Sequence, residues 1–156
     1  MEECVLISAC LLGKPCRYDG KSKPFEGLHT ALEKRGFTSS DWVPVCPEEL
    51  GGLGTPRPAA HLSGGDGKAV LDGKARVLRV EDNEDVTQAF VAGAYRALPT
   101  GKKAAMAVLK ARSPSCGCGE TRIDGTLQQG DGVFAALVKE QGVPVYTEES
   151  LDWETS

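Results

Sequence analysis

Four short apolar runs, "CVLISA", "DWVPVC", "KAAMAVLK" and "VPVYTEE", recur along the chain with helix-like segments between most of them. Runs apolar at nearly every position suit strands covered on both faces. Strands alternating with helices imply an α/β layer, a mostly parallel sheet flanked by helices. "FEGLHTALEKRG" puts Leu28, Ala31 and Leu32 on one helical face and stops at Gly36. "NEDVTQAFVAGAYRAL" reads as a helix capped by Asn83, with Val86, Phe90, Ala94 and Ala97 on one face. "DGVFAALVKEQG" reads as a helix capped by Asp131 and ending at Gly142. One segment breaks the alternation. Asp72-Gly73, between two apolar stretches, predicts a small hairpin over Ala69 to Val80. "PEELGGLGTPRPAAHLSGG" reads as a long loop with one helical turn at its start. At 156 residues the chain is expected to form a single domain over 1–150, with a frayed tail at 151–156.

The chain carries six cysteines. Its acidic start and the absence of a long apolar run suggest a cytoplasmic protein with no membrane span. Thiols stay reduced there, so the cysteines suit metal ligation, catalysis or burial better than a disulfide framework. Position sorts them. Ligands bind beyond the carboxyl ends of the strands in such sheets. Cys10 closes the first strand, Cys46 closes the second, and Cys116 follows the third in the loop "SPSCGCGE". Cys4 lies six residues before Cys10 on the same strand, about 20 Å away at about 3.3 Å per residue, and reads as a core or surface thiol. Cys16 and Cys118 lie on loops near the same edge. Either would serve as a fourth ligand, Cys16 also as a resolving thiol, or fill space as a small loop residue.

Three convergent thiolates leave several chemistries open. Structural zinc takes four protein ligands. Iron–sulfur clusters are commonly held by four cysteines. Three cysteines on a 4Fe-4S cluster leave one iron without a protein ligand, free to act as a Lewis acid. A metal-free thiol enzyme needs a base beside its nucleophile. The two histidines, His29 and His61, fall in no recognisable Cys/His motif.

The motifs "LISACLLGKPCRYDG", "VPVCPEELGGLGTPRPAA", "LKARSPSCG", "DGT" and "GDGVFAALVKEQGVPVYTEE" occur in this order. Together they resemble the small bacterial thiouracil desulfidase family, over Val5 to about Glu149. The resemblance implies a 4Fe-4S cluster held by only three cysteines, and removal of sulfur from a thiolated uracil without net redox change. It implies Cys10, Cys46 and Cys116 as cluster ligands, Glu48 as the catalytic carboxylate and Ser113 as its hydroxyl partner. The chain departs from the pattern at His61, where relatives usually carry an acidic residue, and at Cys118, where a small residue is usual. Relatives lacking a cysteine at the position of Cys16 imply a non-ligand role there.

Other residues near these motifs are candidates for contacting substrate or supporting the site. Arg57, between two prolines, would meet a phosphate or a uracil oxygen, or pair with a carboxylate. Arg17 and Asp19 in "CRYDG" would position the loop or substrate, and Ser115 adds a second hydroxyl beside Cys116. The charge balance narrows the substrate. The chain has 18 Lys and Arg against 22 Asp and Glu, a net charge of -4. Proteins that grip nucleic acid through many phosphates are usually basic. A small thiolated nucleobase or nucleotide is therefore expected in preference to tRNA.

Overall fold

The computed structural model describes residues 2–21 and 27–150. Residues 22–26, which hold the end of the predicted polar loop and the start of the first predicted helix, and the tail (151–156) lie outside the described residues. The first sheet contains β1 (Glu2–Ser8), β2 (Trp42–Val45), β5 (Lys102–Leu109) and β8 (Val145–Thr147) in the order β2-β1-β5-β8. Every pairing in it is parallel. The pleat of β1 shows why it is apolar from Cys4 to Ile7. Cys4 and Leu6 face one side and Val5 and Ile7 the other, and all four are fully buried. On one side α4 (Thr87–Ala97) and α5 (Val133–Glu140) supply Phe90, Ala94, Phe134 and Leu137. On the other, α1 (Leu28–Lys34) supplies Leu28, Ala31 and Leu32.

The predicted hairpin at Ala69 to Val80 is not formed. Gly67–Leu71 is a helical turn, α3, with Asp66 as its N-cap accepting from the Ala69 N–H. Asp72-Gly73 ends that helix, with Gly73 at φ +77. Arg76–Arg79 (β4) instead pairs antiparallel with Ala60–Ser63 (β3), a strand inside the predicted long loop. A second sheet results, in the order β4-β3-β6-β7, completed by β6 (Glu120–Ile123) and β7 (Thr126–Gln129).

Two predicted caps also differ. Asn83 lies in a turn at φ +59, four residues before α4 begins. Asp131 does not cap α5, whose N-cap is Gly132. The Asp131 carboxylate instead accepts from the Gly119 N–H and from Lys139. Among the described residues, no helix is long and apolar enough to cross a membrane.

Candidate active site

Three neighbouring strands, β2, β1 and β5, run parallel and end together, and the chain after each carries one cysteine. Cys10 lies on a 3-10 turn (Ala9–Leu12) directly after β1. Cys46 is the N-cap of α2 (Pro47–Leu50), where Pro47 opens the helix. Cys116 sits in the loop after β5. All three line one cavity of about 410 Å³. Cys4, on the same strand as Cys10 but at its other end, is wholly buried and does not line the cavity.

Glu48 also lines this cavity, two residues past Cys46 on α2. Its carboxylate is held from both sides. One oxygen accepts from Arg57 Nε at 3.0 Å and the other from Ser115 Oγ at 2.8 Å. Arg57 is spent on the protein itself. Its Nη1 donates to Gly54 O at 2.8 Å and Thr55 Oγ1 at 3.0 Å, and its Nη2 to Cys16 O at 3.0 Å. Burial opposes the Arg57 charge, but Glu48 outweighs it and raises the guanidinium pKa.

Ser113 sits one step from Glu48. Its Oγ accepts the backbone N–H of Ser115 at 3.2 Å and of Cys116 at 3.0 Å, folding the loop into a hydroxyl-closed turn. It lies 3.1 Å from Ser115 Oγ. The hydroxyl that touches Glu48 is therefore that of Ser115, with Ser113 behind it.

Cys16 lines the cavity too, at 2% exposure. Cys46 Sγ donates to Cys16 O at 3.5 Å, and the neighbouring Cys10 thiol is the main cause of the Cys16 pKa rising to about 11. Contact with Cys16 and burial likewise push the Cys46 thiol up, and burial pushes up Cys116. Without a metal these thiols stay protonated, unlike an activated nucleophile. A coordinated metal deprotonates its thiol ligands outright. Among the described residues, no three Cys, His, Asp or Glu side chains close on a single ion. Cys10, Cys46 and Cys116 all line one cavity. Their number and softness fit an iron–sulfur cluster.

The chain matches the family model described as 2-thiouracil desulfurase over residues 5–150. The chain belongs to the 2-thiouracil desulfurase family. An uncharacterized protein of Bacillus subtilis (strain 168), YbbK, is 37% identical over 153 residues, covering 95% of this chain and 97% of its own length. A solved structure, the 4Fe-4S-dependent thiouracil desulfidase TudS, is 37% identical and superposes with a TM-score of 0.73. That match covers 96% of this chain and 93% of the TudS chain.

The remaining candidates divide between cavity and periphery in this desulfurase-family chain. Arg17 lines the cavity. Asp19 does not; its carboxylate accepts the Lys21 N–H at 3.0 Å on the exposed loop. Cys118 points away, its Sγ 3.7 Å from Val145 O. His61 is on β3, outside the cavity lining, with Nδ1 buried and without a hydrogen-bond partner.

Sequence reasoning missed several wall residues, among them the polar Ser8, Tyr18, Lys110, Arg112 and Arg122. Lys110 pairs with Glu148 at 3.0 Å, both largely buried, while the other Glu148 oxygen accepts the Ala111 N–H at 2.7 Å. Lys110 and Ser8 stand inside motifs already singled out, next to the cysteine loop and two before Cys10. Arg122 had no signal, because its strand was not foreseen.

Proposed function

We propose that this chain hydrolyses the carbon–sulfur bond of a thiolated uracil (2- or 4-thiouracil, or its nucleotide), releasing uracil and sulfide without net redox change. The cofactor of this reading is a 4Fe-4S cluster on Cys10, Cys46 and Cys116, with one iron free of protein ligands. The observation that carries it is one cavity walled by three strand-end cysteines and by a carboxylate fixed from two sides. Such a cluster supplies a Lewis acid for the soft thiocarbonyl sulfur.

The chain's own groups do the rest. Glu48 takes a proton from the water that attacks the ring carbon. The water oxygen replaces sulfur on the ring, and both water protons leave with the sulfur as hydrogen sulfide. Arg57 holds Glu48 against the cavity, and Ser115 aims its second oxygen. Ser113 fixes Ser115 and the Cys116 backbone. Arg17 and Arg122 in the cavity wall are placed to meet the carbonyl or phosphate oxygens of a nucleotide. The reading places the protein in the cytoplasm, where its six free cysteines remain reduced.

The test is anaerobic. Purified protein should be brown, carry about four iron and four sulfide per chain, and release uracil from 2- or 4-thiouracil. Colourless protein with full turnover would overturn the reading. The place of Cys16 in the same cavity, with its carbonyl accepting from Cys46 Sγ, favours a second reading, a cluster closed by four cysteines that carries electrons. Under the first, Cys16→Ala keeps both cluster and turnover; under the second it loses the cluster.

A further inference from the structure

Lys110 is a cation in the cavity wall that the proposed mechanism does not use. Three strand ends hold it. It stands in the chain leaving β5, and its backbone N–H donates to Ser8 Oγ at 2.8 Å, at the end of β1. Its ammonium pairs with Glu148 Oε2 at 3.0 Å, just past β8, and donates to Ala111 O at 3.2 Å. Glu148 is fixed in turn, because its other oxygen accepts the Ala111 N–H at 2.7 Å. The Lys110 and Glu148 side chains are only 13% and 7% exposed.

An ion pair so far removed from water is weak evidence for stability, since desolvating its charges offsets their attraction. What this pair does is fix a positive charge at one place in the wall. An ammonium carries three hydrogens. Glu148 and Ala111 engage two, and the third remains for a ligand in the cavity. Arg57, in the same wall, directs every nitrogen to the protein itself. Arg112 closes both of its Nη groups on Glu149.

A thiolated uracil offers that hydrogen one matching acceptor. Its sulfur is soft and suits a soft Lewis acid. The carbonyl oxygen across ring N3 is hard and suits a compact, strongly hydrated ammonium. Both 2- and 4-thiouracil have this oxygen in the same relation to sulfur. We propose that Lys110 binds the ring carbonyl oxygen of the thiolated uracil and so orients the ring with its sulfur toward the cysteines. The inference rests on the thiouracil reading of the cavity.

The experiment compares anaerobically reconstituted wild type, Lys110→Met and the double variant Lys110→Met with Glu148→Gln, which removes the carboxylate charge that the single change would strand. Each is assayed for iron and for kcat/KM on 4-thiouracil and on pyrimidine-4-thione, the same ring without the 2-oxygen. The ratio of the two should fall by about 10-fold or more in both variants, as for a lost hydrogen bond to a charged group. Iron content should match wild type in the double variant. The cluster-free proteins give a second readout by calorimetry: wild type should bind uracil more tightly than pyrimidin-4-one, and the variants should bind the two alike. A ratio unchanged from wild type in an iron-loaded variant overturns the proposal and leaves Lys110 as a tie between strand ends, even if its melting temperature falls. If neither variant loads iron, calorimetry decides, and an unchanged preference for uracil overturns it equally. A wild type that carries full iron and turns over neither thione would instead sink the thiouracil reading beneath it.

Discussion

Glu48 and Arg57 form an ion pair whose side chains are only 12% and 5% exposed. Removing one member of a buried pair strands the other, typically at about 3 kcal/mol or more. Arg57→Met should therefore lower stability by about that amount in urea unfolding. Arg57→Lys should recover little, because one ammonium cannot reach acceptors spread over Glu48, Gly54, Thr55 and Cys16. Glu48→Gln should keep the cluster and slow uracil release by about 100-fold or more, as expected for a lost general base. Near-wild-type turnover would remove Glu48 from the mechanism. The two serines separate in the same assay. Ser115→Ala should lower kcat at full iron content, whereas Ser113→Ala should loosen the turn around Cys116 and lose iron first. Sequence reasoning took Ser113 as the hydroxyl partner of Glu48. Two serines, two residues apart in one loop, differ only in which way the chain turns them, and a linear pattern does not carry that.

The carboxylate depends on the seat of its helix. A Cβ on Gly93 of α4 would stand 1.9 Å from Pro47 O, and one on Gly51, just after α2, would stand 2.1 Å from Ala89 O. Both glycines are needed for close approach of α2 to α4. Gly93→Ala should cost about 2 kcal/mol through overpacking. It should also tilt α2, so turnover should fall with the melting temperature. Gly73→Ala is the contrast. It has a left-handed φ of +77 but open space around it, so it should cost about 1 kcal/mol and leave activity intact. Element legibility followed burial. β1 and β5 were readable because both faces are covered and each carries an unbroken apolar run, Cys4 to Ile7 and Ala104 to Leu109. The second sheet was not: its strands have four residues each, and β7 is exposed along its whole length. The dipeptide Asp-Gly occurs in both contexts. At 72–73 it ends a helix. At 124–125 both residues have positive φ, +52 and +86, and close the β6–β7 hairpin. Local chemistry requires a left-handed residue in either case, and only the partner strand decides which structure follows.

At the scale of the molecule, charge bears on the proposed preference for a small substrate. The excess of acid over base opposes a long polyanion, while Arg17 and Arg122 in the cavity wall suffice for one phosphate. Turnover of thiouracil or its mononucleotide should therefore change little between low and moderate salt. Binding to thiolated tRNA should be weak and steeply salt-dependent, since each phosphate contact adds about one unit to the salt slope. Efficient tRNA turnover without turnover of the small molecules would reverse this order. The placement of the three cysteines carries a consequence for biogenesis. They stand at positions 10, 46 and 116 and meet only because β2, β1 and β5 pair side by side. In an unfolded chain, bringing three such distant thiols to one point carries a loop-closure cost that iron–thiolate bonding alone would have to offset. A sheet formed beforehand removes that cost, so on the proposed ligand set iron and sulfide would be delivered to a folded protein.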